Sequence, residues 1–163
     1  DASNIVPHYT EAEVLVRAAK REYLDQVSKW VMDCAQAAAL ATRTSWNVEE
    51  VGEKYDSLRR NIGGERVLEG IYQDLGLTLV DTSHETGGSS DIGNVSSLCP
   101  AFHPYLDIGK DLNAHTEEFA QAMKTKKTHR AIALGGEIIS RFILDVYNTP
   151  GLLEEIRKDH LGE

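Results

Sequence analysis

The sequence predicts an α/β fold, and three observations carry that expectation. Residues 12–18 (AEVLVRA) alternate, with Val14 and Val16 on one face and Glu13, Leu15 and Arg17 on the other. Residues 20–41 place apolar side chains at 24, 27, 31, 35 and 38, the spacing of an amphipathic helix of about six turns. Residues 65–75 carry the same helical spacing and pass through Gly76, a C-terminal stop, into a short apolar strand at 77–80.

Taken in order, Asn4 to Pro7 reads as an extended lead, because proline fixes its own φ and biases its predecessor towards extended geometry. In the strand at 12–18 a charged side chain shares a face with Leu15, which suggests a half-covered sheet. The Ala-rich end of the next helix favours close packing, and Trp30 and Cys34, one turn apart, are assigned to its core side. Residues 42–51 (TRTSWNVEEV) return to strand-like composition, so the first fifty residues read as strand, helix, strand. Residues 55–61 cross to a second region, and Gly63-Gly64 breaks the chain before the helix at 65–75.

The polar stretch 87–115 then reads as a strand that delivers side chains to an edge or cleft, followed by a loop at 109–114. Thr116 is placed as an N-cap, with Glu117 and Glu118 in the first turn of a short helix whose apolar face is Phe119, Ala120 and Met123. A long helix at 128–147 turns Ile132, Ile139, Phe142, Ile143 and Val146 inward. Its Gly135-Gly136 pair costs roughly 1 kcal/mol per glycine in propensity, so a close neighbour is expected there. Thr149-Pro150 opens a last amphipathic helix through Leu153 and Ile156.

Composition narrows the function classes. At 163 residues the chain can make one domain or two small pieces, and its hydrophobic content of 41% suffices for a core. A net charge of -9 argues against nucleic acid, which needs clustered cations. Lys124, Lys126, Lys127, His129 and Arg130 form a local basic run, read as a solvated turn between helices. Cys34 and Cys99 have no CxxC or disulfide-framework spacing and fit a reducing cytoplasm. There is no apolar run of the eighteen or so residues a membrane span needs. The chain starts without methionine, which suggests a processed or excised piece.

Residues 87–115 (GGSSDIGNVSSLCPAFHPYLDIGKDLNAH) are too polar for a segment filled only for burial. Gly87 and Gly88 allow a ligand close to the backbone. His115, at a loop-to-helix junction, can be a metal ligand or an acid/base, and equally a surface or capping histidine. Ser89 or Ser90 with His103 would suit a Ser/His hydrolase, but no G-x-S-x-G elbow is present.

The run GSSDIGNVSSLCPAFHPY followed by AHTEEFAQAM resembles the C-terminal signature of the dinuclear metallo-amidohydrolases and carboxypeptidases of peptidase family M twenty, in the branch of aminobenzoyl-glutamate hydrolase and the aminoacylase-like dipeptidases. NIVPHYTEAEVLVRA and LLEEIRKDH extend the resemblance over nearly the whole chain, with His8 where the family often has aspartate. The resemblance implies that residues 1–57 are part of a ferredoxin-like α+β lid and dimerisation domain. Residues 58–163 would be the C-terminal part of a zinc-peptidase-like α/β catalytic domain, with helices layered on a mixed sheet and the whole incomplete.

By the same resemblance His115 is a metal ligand, and Gly88, Ser89, Ser90, Asp91 and Asn94 line the substrate site. Asn4 and Arg17 would contact the substrate's free carboxylate, a role that suits the planar guanidinium; Arg17 reads equally as an edge-strand solubiliser, and residues 89–94 as a hydrogen-bonded turn. The implied activity is hydrolysis of the amide bond of N-acyl amino acids or small dipeptides by water activated on two zinc or manganese ions. The other ligands and the general-base glutamate belong to motifs that this sequence lacks: there is no His-x-Asp and no His-Cys-Gly-Gly, and Glu49-Glu50 and Glu154-Glu155 stand in the wrong settings. No catalytic residue is therefore expected in this chain, which should be inactive alone. Expected partners are a second copy through the lid or a missing N-terminal half, with neither nucleic acid nor membrane. A non-catalytic binding or dimerisation module is the alternative.

Overall fold

The structure, a computed structural model, describes residues 4–80, 88, 90–110 and 112–163. Among these residues it contains helices and no strand: α1 (Arg21–Thr42), α2 (Ile62–Asp74), α3 (Ile92–Ser96), α4 (Glu117–Ala122), α5 (Lys126–Asn148) and α6 (Leu152–Leu161). The expected α/β fold with helices on a mixed sheet is thus overturned. Residues 12–18, 44–51 and 77–80 are irregular, because alternation of side chains makes a strand only when a neighbouring backbone supplies the ladder. No such partner lies among the described residues.

The polar stretch fails as a strand for a local reason. Ser90 Oγ accepts the Ile92 N–H at 3.3 Å, and the Ser96 hydroxyl donates to the Gly93 carbonyl at 2.7 Å. Short side chains that satisfy nearby backbone groups compete with a ladder, and here they favour a turn of helix, α3.

The chain divides into two units, Asp1–Ser57 and Leu58–Glu163. In the first, α1 ends where Arg43 adopts a left-handed φ of 56° and Thr42 Oγ1 donates back to the Ala38 carbonyl at 2.8 Å. Arg21 at its start pairs with Asp56 at 3.3 Å. Leu24, Val27 and Val31 are half-buried, as the three-four spacing requires, but Ala35 and Ala38 are exposed and Ala39 is buried instead. Trp30 and Cys34, expected in the core, are exposed instead; the Trp30 ring meets Tyr23 edge-on at 6.2 Å.

The second unit is built on α2, α5 and α6 packed together, with Ile71, Ile138 and Ile156 buried between them. Its junction is Asn61, only 2% exposed. The Asn61 side-chain oxygen accepts the Gly64 N–H at 2.9 Å and so caps α2, while its amide donates to the Ile156 carbonyl of α6 at 2.7 Å. Asp159 of α6 returns the favour by accepting the Gly63 N–H at 2.9 Å, an acid at the positive end of α2. Gly63 and Gly64 therefore lie inside the first turn of α2 and do not precede it. Gly64 has a packing reason to lack a side chain, since a Cβ there would overlap the ring of Phe102. That ring in turn meets Phe142 of α5 edge-on at 5.0 Å.

Helix α5 is turned relative to expectation. Phe142 and Val146 are half-buried as expected, but Ile138 is buried while Ile132, Ile139, Ile143 and Tyr147 are exposed in one stripe, so the inward face is displaced part of a turn around the axis. The periodicity was that of an amphipathic helix, but the polar Thr128, 1% exposed, anchors the inward face. A Cβ added at Gly135 would meet Leu106 at an ordinary 3.6 Å and one at Gly136 would meet nothing, so neither position requires glycine for a close approach. Gly151, with φ 83°, is the N-cap of α6, and Thr149 closes α5 instead of opening α6.

Two stability outcomes follow. Asn61→Ala removes a cap and leaves the Ile156 carbonyl without its buried donor, so chemical denaturation followed by circular dichroism should show a loss of about 2–3 kcal/mol. Gly64→Ala should destabilise as well, although alanine is the better helix former by about 1 kcal/mol, because the overlap with Phe102 outweighs propensity at about 1–3 kcal/mol. An unchanged or raised denaturation midpoint for Gly64→Ala would show that the Phe102 ring moves aside freely.

Candidate functional site

The candidate wall residues converge on α3. Asp91 occupies its N-cap position in helical geometry (φ -66°, ψ -12°), Ser90 precedes it, and Asn94 lies one turn along. Ser90 Oγ also approaches Asp91 Oδ1 at 3.4 Å, and the Val95 N–H donates to the Asp91 carbonyl at 3.2 Å. Ser90 and Asn94 are half-buried, while Gly88 and Asp91 are exposed. The turn carries hydroxyl, carboxylate and amide groups within a few residues. Ser89 lies outside the described residues. Asn4 and Arg17 are exposed residues of the first unit.

Between α3 and α4 the chain forms a strap over the second unit. Ala101 and Phe102 pack inward, and the Tyr72 hydroxyl donates to the Tyr105 carbonyl at 2.9 Å, with burial pushing the Tyr72 phenol up from its ordinary value. The His103 and Tyr105 rings lie 4.9 Å apart. Asp107 accepts from Lys127 Nζ at 2.9 Å and from the Gly109 N–H at 2.8 Å. The Lys127 hydrogen bond first, and the Gly109 amide second, hold the Asp107 carboxyl below its ordinary value of 3.8.

His115 stands at the end of this strap, in the left-handed region with φ 66°, a conformation in which histidine is several-fold enriched among non-glycine residues. Next to it Thr116 accepts the Phe119 N–H at 3.2 Å and donates to the Asn113 carbonyl at 2.8 Å, so α4 starts where its N-cap and first-turn acids indicate. Thr128 Oγ1 donates to the Ala122 carbonyl at 2.8 Å and ties the far end of α4 to α5. The exposed imidazole is thus carried on a segment braced at both ends.

His115 supplies one donor, whereas a zinc site takes three or four. Among the described residues no three His, Cys, Asp or Glu side chains come together as a metal site. The described residues therefore do not form a complete metal centre. Open grooves of about 680 Å³ beside α2 and α6, and about 550 Å³ between the end of α1 and Trp46, contain none of the candidate residues.

Sequence reasoning passed over Ser96 and Asn61, both fully or almost fully buried and both bridging distant segments. A polar residue next to a helical apolar run was the available signal; the identity of its partner was not.

The chain is similar to dipeptidases. It is 31% identical to mouse (Mus musculus) Xaa-Arg dipeptidase over 163 residues, and 31% identical to human (Homo sapiens) Xaa-Arg dipeptidase over 159 residues. Each alignment takes in 96% of this chain but only 37% and 36% of the relative, so the chain spans little more than a third of their length. No protein-family model matches it. The dipeptidase likeness read from the runs at residues 88–105 and 114–123 agrees with these relatives, whose names say nothing of metals or N-acyl substrates. No helix among the described residues is long and apolar enough to cross a membrane.

The strap makes a pH statement. A carboxyl whose folded pKa is depressed contributes stability above its ordinary value and loses it as pH falls through the folded value. Carbon NMR of the Asp107 carboxyl should therefore show titration below 3.8, and Lys127→Ala should move it back up. Titration unchanged by Lys127→Ala would mean that the ion pair does not hold in solution.

Proposed function

We propose that this chain is the substrate-binding portion of a dipeptidase-type hydrolase that cleaves the amide bond of a dipeptide or N-acyl amino acid bearing a free carboxylate. The reading rests on the dipeptidase likeness over 96% of the chain. The gathering of Ser90, Asp91 and Asn94 on one turn is compatible with it. In this reading those side chains, with Gly88 and Ser89, hold the substrate; Asn4 and Arg17 serve its carboxylate from the first unit; and His115 gives one ligand to a divalent metal site. The remaining ligands and the general base would come from motifs that this sequence lacks. Residues 1–57 act as lid and dimerisation piece, and residues 58–163 as part of the catalytic domain. The names of the relatives favour dipeptides with C-terminal arginine over other substrates.

A second reading, a module that works by association, is favoured by one observation: α1 exposes Tyr23, Trp30 and Leu40, and Trp46 and Val51 beyond it are exposed as well.

Native material, purified so that any associated chain stays bound and supplied with zinc or manganese, separates the two. Arginine release from alanyl-arginine, with about two metals per particle, is the outcome the hydrolase reading requires. His115→Gly, which keeps the left-handed backbone while removing the imidazole, should then lower retained metal and cut activity by about a hundredfold or more. An 18.0 kDa particle that binds neither metal and releases no arginine would leave association as the function.

A further inference from the structure

Helix α3 has five residues, too few to hold its own conformation, so its place must be set from outside. Ser96 is the residue through which this happens. Its side chain is completely buried, and its Oγ accepts the backbone N–H of Arg59 at 2.8 Å while donating to the Gly93 carbonyl at 2.7 Å. Arg59 stands two residues before Asn61, whose amide and carbonyl oxygen lock α2 to α6. Gly93, itself buried, sits between Asp91 and Asn94. One hydroxyl therefore connects the segment that leads into the Asn61 junction to the middle of the candidate wall.

The geometry points to Ser96 as a positioning residue that sets where the Ser90, Asp91 and Asn94 turn stands, and hence how well the site binds substrate. This inference rests on the hydrolase reading above. Serine is suited to the task because a single small group both accepts and donates. Alanine would leave the Arg59 N–H and the Gly93 carbonyl without this tie, and the turn would drift relative to the Asn61 junction. Contacts to the bound, non-reacting part of a substrate would weaken equally in the ground and transition states. A loss of that kind raises KM and leaves kcat alone.

The test uses the intact active particle with alanyl-arginine as probe, comparing Ser96→Ala with Asn94→Ala. Ser96→Ala is expected to raise KM about tenfold with kcat within about twofold. Amide hydrogen exchange should quicken at Arg59 and across residues 91–97 while α2, α5 and α6 keep their protection. If Asn94→Ala raises KM and Ser96→Ala does not, the positioning role is overturned and the hydrolase reading stands. If Ser96→Ala loosens α2, α5 and α6 as much as α3, Ser96 is general core support and the inference falls. A particle that cleaves nothing, or one in which Asn94→Ala leaves KM unchanged, removes the substrate-wall reading and the inference with it.

Discussion

The second unit depends on one buried amide. Asn61 has to satisfy an orphan N–H at the start of α2 and a carbonyl inside α6 from a position with almost no access to water. A buried polar group without its partners costs more than a typical hydrogen bond contributes, so the two helices are held to a narrow set of relative positions. Much else is referenced to that point. Asp159 completes the α2 terminus, Phe102 fits against the bare backbone of Gly64, and Arg59 lends its amide to Ser96.

Helices were more legible than anything else in the sequence. The spacing in residues 20–41, 65–75 and 128–147 marked α1, α2 and α5 to within a few residues, and the Thr116 cap with two following acids marked α4. Strands were not, because a strand is a statement about a neighbour and alternation in residues 12–18 cannot name one. Direction around a helix axis was equally hidden. In α5 Phe142 and Val146 face inward as the spacing indicates, but the buried Thr128 lies on the same face as Ile138, which is buried in place of Ile139.

The candidate site was legible as chemistry and illegible as geometry. Residues 87–115 stood out by composition, and within them Ser90, Asp91 and Asn94 do share one turn. That turn is helical because serine hydroxyls at both ends bond to nearby backbone, a competition that composition registers only as polarity. His115 was placed correctly at a loop-to-helix junction, where its left-handed backbone and the Thr116 cap orient the start of α4. Among the described residues no further His, Cys, Asp or Glu side chains gather into a metal site, and linear spacing is silent on such tertiary assembly.

The exposed stripe of Ile132, Ile139, Ile143 and Tyr147 on α5 bears on the life of the molecule in a cell. Quality-control machinery recognises sustained apolar surface whatever fold carries it, and abundance follows the time such surface stays open. Exposed apolar surface of this kind marks contact sites or aggregation liabilities in proteins generally, and α5 carries it along one face.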